Sequence, residues 1–435
     1  MFKSRLLALL LLLLGVFAVF PARGATTSGW GRIMRVSVAS DGAQADGATW
    51  RSGFSADGRV VAFVSDAWNL TGIPIPYGQP QLYAFDRATN QTTRLPIAPP
   101  QTPIDLATIT HELAVSGDGR FVAFDSLSAL VPDDTNAKRD IFVHDRLTEQ
   151  TSRVSVRSDG GQNDGSATQP RLSFDGRFVL FAAESNLLLP GYAGYGVFIR
   201  DRQSGTTEAV SVATNGTPAD AIAGGGTLSD DGRLVAFISG AGNLDDDAVP
   251  GTDNVFLRDR QTGQTTWLWG DENGASIDAV DLSGDGRYLA ITTRASCYYD
   301  VCDYRLHLFD RQAGRVVGTF RDVVASSGSH QFLATAGPIL AFLTNTPLVP
   351  EDDDGALADV YRFDFLTGEL TLITKPEFGP SVWYDAPMDV AISADGREIA
   401  FRSKGPYFVA GDTNNQDDVF VWTAGTSSIY LPAIR

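Results

Sequence analysis

The sequence predicts an all-β fold, a single β-propeller of seven four-stranded antiparallel blades. Three observations carry this expectation. A nonapeptide recurs along the chain, each copy leads into a strand that is apolar on both faces, and the copies use up the chain. "SADGRVVAF" begins at Ser55, "SGDGRFVAF" at Ser116, "SFDGRFVLF" at Ser173, "SDDGRLVAF" at Ser229, "SGDGRYLAI" at Ser283 and "SADGREIAF" at Ser393. A worn copy, "ATAGPILAF", starts at Ala334, so seven units are spaced 51 to 61 residues apart. Fixed-period self-similarity is the signature of a repeat architecture. Units of this length leave no room in 435 residues for a second domain.

The N-terminus is set apart. Lys3 and Arg5 precede a mostly apolar run, Leu6 to Phe20, followed by "PARGA". Ala22 and Gly24 are small residues at the positions a signal peptidase reads. The run is short for a hydrocarbon core of ~30 Å. The expected organisation is therefore a signal peptide over 1–24 and a propeller over 25–435. No Cys follows the apolar run, which disfavours a lipid anchor, and no later segment is apolar for long enough to span a membrane.

Within each unit the Asp-Gly pair reads as a two-residue hairpin turn, because both residues tolerate positive φ. The strand after it, such as Val60 to Val64, is continuously apolar, so both sheet faces are covered. A further strand type reads "LYAFDR", "IFVHDR", "VFIRDR", "VFLRDR", "LHLFDR" and "VYRFDF", followed by a Thr/Gly-rich turn and a last strand such as "TSRVSV". Four antiparallel strands buried against neighbouring repeats define a propeller blade. The stretch 32–38 matches that last strand but has no blade before it, so it is expected to help close the ring. The terminal "SSIYLPAIR" competes for the same place.

The pattern S-x-D-G-R-x-V-A-F…D-T-N-x-x-x-D-I-F-V-x-D-R-x-T-x-x-T resembles the TolB-type, WD-like β-propeller repeat of exported bacterial proteins, over residues 30 to 435. The resemblance implies the fold and export. TolB itself carries an α/β domain before a six-bladed propeller, so a role in the Tol system is not implied here.

In an antiparallel blade the first–second and third–fourth turns emerge at one edge, and here both are short. The other connections are long and rich in Asp, Asn and Gly, as in "VPDDTNAKRD", "NLDDDAVPGTDN" and "AGDTNNQDD". They gather on one face, where function in repeat folds usually sits. On the opposite face the Arg after each Asp-Gly is expected to pair with the Asp that ends the third strand, as Arg120 with Asp145. Calcium is the one cofactor the sequence raises. Asp134, Asn136 and Asp140 have the 1-3-7 spacing of a calcium loop, Asp412, Asn414 and Asp418 repeat it, and Asp352, Asp354 and Asp359 come close. The competing reading is that these side chains bind loop backbone and cap strand entries.

Cys297 and Cys302 are the only cysteines. In an oxidising compartment they are expected to form a local disulfide beside Tyr298, Tyr299 and Tyr304. Four histidines (His111, His144, His307 and His330) fall at unrelated places in their units, and "DGATW" (Asp46 to Trp50) reads as a turn. There is no nucleophile elbow, phosphate loop or basic stripe. Removing Lys3, Arg5 and Arg23 takes the formal charge from −18 to −21, which repels nucleic acid. The reading is an exported, monomeric, non-enzymatic scaffold, periplasmic or extracellular. It would bind a protein, peptide or cell-envelope glycan through its acidic loop face. The alternative is a polysaccharide hydrolase or lyase with carboxylates at the central channel.

Overall fold

The computed structural model describes residues 31–72, 80–95, 113–184, 187–188, 194–270, 275–298, 301–321, 323, 334–337, 339–352, 358–375 and 387–425. The expected signal segment and the terminal "SSIYLPAIR" lie outside them. After β1 (Arg32–Arg35) the chain builds blade 1 from β2 (Thr49–Phe54), β3 (Val60–Ser65), β4 (Gln81–Asp86) and β5 (Gln91–Arg94). Blade 2 is β6 (Leu113–Val115), β7 (Phe121–Ser126), β8 (Asp140–Asp145) and β9 (Gln150–Arg153). Blade 3 is β10 (Ala167–Leu172), β11 (Phe178–Glu184), β12 (Tyr195–Asp201) and β13 (Thr206–Ala209). Blade 4 is β14 (Ala223–Leu228), β15 (Leu234–Ser239), β16 (Asn254–Asp259) and β17 (Gln264–Gly270). Blade 5 is β18 (Ser276–Leu282), β19 (Tyr288–Tyr298), β20 (Val301–Asp310) and β21 (Arg315–Arg321). Blade 6 holds the worn repeat in β22 (Ala334–Ala336) and β23 (Ile339–Thr344), with β24 (Asp359–Asp364) and β25 (Glu369–Leu372). Blade 7 is β26 (Met388–Ile392), β27 (Glu398–Ser403) and β28 (Asp418–Thr423), completed by β1.

Each sheet is antiparallel in sequence order, and the seventh runs β1-β28-β27-β26. Register pairs Arg32 with Thr423 and Arg35 with Phe420. The first strands touch one another all round the axis: β2 meets β6 and β26, β10 meets β6 and β14, and β18 meets β14 and β22. The ring is closed.

The core lies between blades. Six blades place a cross-strand aromatic pair on their second and third strands, such as Phe124 opposite Phe142, with ring centroids 5.5 to 6.1 Å apart. These twelve rings are the largest fully buried side chains, so they set the spacing of the discs that stack around the axis. Blade 5 departs, setting Ile291 opposite His307.

The Ser-x-Asp-Gly-Arg turn works differently from the two-residue form expected. In the Ser55–Val60 turn of blade 1 only Gly58 has positive φ, at 73°. The Gly58 N–H donates to Ser55 O at 2.9 Å, and Ser55 N–H donates to Val60 O at 2.9 Å. Ser55 Oγ donates to Asp57 at 2.6 Å and accepts from Val60 N–H at 2.8 Å, while Asp57 also accepts from Arg59 N–H. Serine and aspartate thus satisfy backbone groups that a wider turn leaves open. Successive turns also bond to each other: Ala394 N–H to Ala56 O, Asp57 N–H to Gly117 O, Phe174 N–H to Asp230 O and Asp230 N–H to Gly284 O, at 2.7 to 2.9 Å.

Glycine is needed there twice over. Gly176 has φ 66°, and a Cβ on it would sit 2.2 Å from the ring of Phe121 in the preceding blade. Where blade 1 meets blade 7 the preceding residue is Glu398 instead of an apolar one, and it pairs with Arg87 at 2.7 Å.

Candidate functional site: the long-loop face

The short-turn face is committed to architecture. Arg59, Arg120, Arg177, Arg233 and Arg287 meet Asp86, Asp145, Asp201, Asp259 and Asp310 at 2.6 to 2.8 Å. Each guanidinium uses Nε and Nη2 together, the fork geometry that suits a carboxylate. In blade 7 the place of the aspartate is taken by Thr423. The second Arg of the Asp-Arg doublet turns back to the Asp-Gly carbonyl, as Arg146 does to Gly119 at 2.6 Å. Arg202 lies over Phe121 of the neighbouring blade at 4.2 Å, on a ring that Arg120 covers at 4.7 Å.

On the other face, the residues expected to ligate calcium do come together, in two threes, and each three closes on an arginine. In blade 2, Arg153 Nη1 lies 3.2 Å from Asp134 and 3.6 Å from Asp140, and its Nη2 lies 3.0 Å from Asp133. Asn136 donates to Asp140 at 3.1 Å and to Asn163 O at 3.1 Å, and Ser155 donates to Asp140 at 2.5 Å. In blade 7 the same parts recur with Arg35, 3.4 Å from Asp412 and 3.9 Å from Asp418. Asn414 donates to Asp418 and to Ala45 O, Ser37 donates to Asp418 at 2.5 Å, and Gln44 donates to Asp412 at 2.7 Å. Arg35, Ser37 and Gln44 belong to β1 and the loop after it, so this cluster fastens the closing strand. Among the described residues no group of three or more His, Cys, Asp or Glu is arranged to hold a metal ion.

Burial governs these carboxylates. It pushes Asp134 up to about 6, with Asp140 adding to the effect and Arg153 opposing it. Burial likewise pushes Asp418 up to about 6, against the Ser37 hydrogen bond. Two buried carboxylates share one guanidinium in each cluster, so desolvation is only partly offset. The opposite face behaves in the reverse sense: its hydrogen bonds from Arg233 hold Asp259 down to about 2.

Beside each cluster runs one more ion pair, with its charges exchanged. Arg139 meets Asp125 at 2.7 Å in blade 2, whereas Asp417 meets Arg402 at 3.2 Å in blade 7. Arg402 also holds Asp389 at 2.9 Å, an inner-strand residue with φ 54°. Asp278 of the inner strand β18 lies 3.4 Å from Arg294. Asp278 and Asp389 are thus tied to arginines, while Asp281, also on β18, accepts from the Thr227 hydroxyl at 3.0 Å.

The connections between blades are themselves small hairpins. Ser40 exchanges bonds with the backbone of Thr92 in the next blade, and Ser158 does so with Thr207 and Thr214 with Thr265. Asp46 is a turn residue that accepts from Trp68 N–H at 2.9 Å. Asp352 bonds the Tyr361 hydroxyl and Asp359 accepts from Thr374 at 2.6 Å, while Asp354 lies outside the described residues. His144 is buried against Thr151, and burial pushes it down to about 4. In blade 5 the second and third strands lengthen into a hairpin that sets Cys297 opposite Cys302.

No family model matches the chain. No curated protein matches it either. Among solved structures, the propeller domain of the trilobed protease of Pyrococcus furiosus is 11% identical, with a TM-score of 0.52 over 88% of this chain and 98% of that one. What the two share is the propeller fold. That domain is described as having an open velcro topology, whereas here β1 pairs with β28. TolB of Acinetobacter baumannii (17% identity, TM-score 0.39, 65% of this chain) and a putative TolB of Agrobacterium tumefaciens (15%, TM-score 0.41, 65% of this chain) are also neighbours. The match spans 55% of the first TolB and 85% of the second. Among the described residues no helix is long and apolar enough to cross a membrane.

Proposed function

We propose that the chain is an exported, non-enzymatic propeller that binds a protein, peptide or cell-envelope glycan through its long-loop face. The carrying observation is the exposed charge of that face. Asp46, Asp133, Asp164, Asp220, Asp246 and Asp247 are exposed on its connections, and among the described residues of these connections Lys138 is the single exposed cation. Arg294 and Arg321 are also exposed where β19 and β21 end at this edge, so the face is predominantly negative, and such a surface selects oppositely charged or hydrogen-bonding partners. The pairing of Asp278 and Asp389 with arginines speaks for binding over glycoside hydrolysis, which needs one carboxylic acid and one free carboxylate.

The expected Cys297–Cys302 bond fits the same reading, since directly opposed residues of antiparallel strands stand about 4.5–5.5 Å apart at Cα, within the range a disulfide spans. Purified protein on glycan and peptide arrays tests the proposal. Binding should be lost in Asp133→Asn/Asp220→Asn/Asp246→Asn/Asp247→Asn and kept in Arg59→Ala/Arg120→Ala, on the opposite face. Release of new reducing ends from a polysaccharide would overturn it in favour of a hydrolase.

A further inference from the structure

The loop face carries apolar side chains as well as acids, and among the described residues these fall in one arc. Trp68 is 55% exposed, Leu127 47%, Leu187 43%, Ile222 70% and Val249 48%. They stand on four consecutive blades, 1 to 4, at the long-loop edge. The other large exposed apolar residues among those described, Leu147, Phe174 and Leu366, sit singly in turns of the opposite face. Isolated exposed apolar side chains are ordinary on a protein surface, but a set gathered on one face with a polar surround marks an interaction site.

The backbone beneath these side chains is pinned. Trp68 N–H donates to Asp46 at 2.9 Å, Leu187 N–H to Asp164 at 3.4 Å and Val249 N–H to Asn254 at 3.3 Å. Ile222 O accepts from Ser239 at 2.9 Å. A partner would meet a backbone already held in place, which lowers the ordering cost of binding. Two of the residues doing the pinning, Asp46 and Asp164, are themselves exposed acids, and Asp246-Asp247 lies two residues before Val249. Negative charge is therefore interleaved with the apolar positions.

We propose that the long-loop face over blades 1 to 4 docks a basic, amphipathic polypeptide segment, with Lys or Arg side chains meeting the aspartates and Leu, Ile or Phe side chains covering Trp68, Ile222 and Val249. This rests on the binding role given to the face above and names its partner class. Charge complementarity excludes polyanions such as nucleic acid and anionic lipid surfaces. The apolar set excludes a purely electrostatic ligand, because a plain polycation leaves it uncovered.

The test is fluorescence anisotropy with three labelled 18-residue peptides: a Lys/Leu amphipathic sequence, an oligolysine of equal charge and a Glu/Leu analogue. The Lys/Leu peptide should bind at least ten times more tightly than oligolysine, and the Glu/Leu peptide should not bind. Trp68→Ser/Ile222→Ser should weaken Lys/Leu binding at least tenfold, and Asp246→Asn/Asp247→Asn should weaken it and flatten its salt dependence. Unchanged melting temperatures show that both variants remain folded. Equal affinity for oligolysine and Lys/Leu, or no effect of the apolar substitutions, overturns the inference. If the Lys/Leu peptide fails while an array ligand binds and is lost in the loop-face variant, the partner class is wrong and the binding role stands. Failure of both sets of ligands overturns both.

Discussion

Arg35 and Arg153 each place a guanidinium against the two buried aspartates of a loop of this spacing, and their chemistry predicts how the loops respond to change. Arg153 is buried, its side chain 2% exposed, against two buried aspartates. Arg153→Met should therefore destabilise the protein by about 3–5 kcal/mol in denaturant unfolding, because it strands buried charge. Asp134→Asn/Asp140→Asn in the same background should recover part of the loss. Because the positive charge is already supplied, millimolar calcium or a chelator is expected to leave the melting temperature unchanged. The pH dependence has a definite sign. Asp134 and Asp418 ionise near 6 when folded, against about 3.9 unfolded. The native state thus holds more protons between those values, and the contribution of these groups to stability is full below about pH 4 and falls as pH rises to about 6. Asp259, held at about 2, contributes in the opposite sense, losing its stabilisation as pH falls below about 4. Unfolding at pH 4.5 and 7 should show the wild type losing stability relative to Asp134→Asn/Asp418→Asn. The 1-3-7 spacing was legible in the sequence, but the arginine was not. Arg153 lies beyond β8 and its turn, and Arg35 lies at the other end of the chain, so no local window contains the cage.

At the scale of elements, the repeated Asp-Gly-Arg was enough to place six second strands, the worn copy at Ala334 placed the seventh, and the apolar runs were enough to bury them. The turn itself was misread because an Asp-Gly pair suits several hairpins. What selects the wider one is Ser55 and its counterparts, whose hydroxyls take over the bond that the backbone cannot make. The glycine's second duty, against the neighbouring blade, depends on packing that sequence spacing does not report. Gly176→Ala should accordingly cost more than Gly314→Ala, whose φ is also positive but which has nothing within 4 Å. Strain alone predicts about 1–2 kcal/mol at Gly314, and overpacking against Phe121 adds about 1–3 kcal/mol at Gly176. Urea midpoints compare the two directly. The exchanged pairs Asp125–Arg139 and Arg402–Asp417 make a further prediction. Asp125→Arg/Arg139→Asp together should be far less destabilising than either change alone, since blade 7 already uses that polarity at the same positions.

For the whole molecule, closure rests on one short strand. Deleting residues 25–38 removes β1 with Arg35 and Ser37, leaving Asp412 and Asp418 buried without their counter-charge. The melting temperature should fall, and a synthetic peptide spanning 31–46 should restore it in a concentration-dependent way. An unchanged melting temperature on deletion would mean that the closing strand is dispensable to the ring.

That closure also sets an order in time. A chain made from its N-terminus produces Arg32–Arg35 first and pairs it last, for Ser37 reaches Asp418 across a sequence separation of 381 residues. At about 5–20 residues per second this is roughly 20–80 s of synthesis. Throughout that interval the strand has no partner and blade 1 has no neighbour on one side. Six blades can assemble against one another as they appear, but the ring has no finished state until the seventh arrives. The polypeptide thus carries its own closure signal, because only a chain that has reached β28 can hide β1.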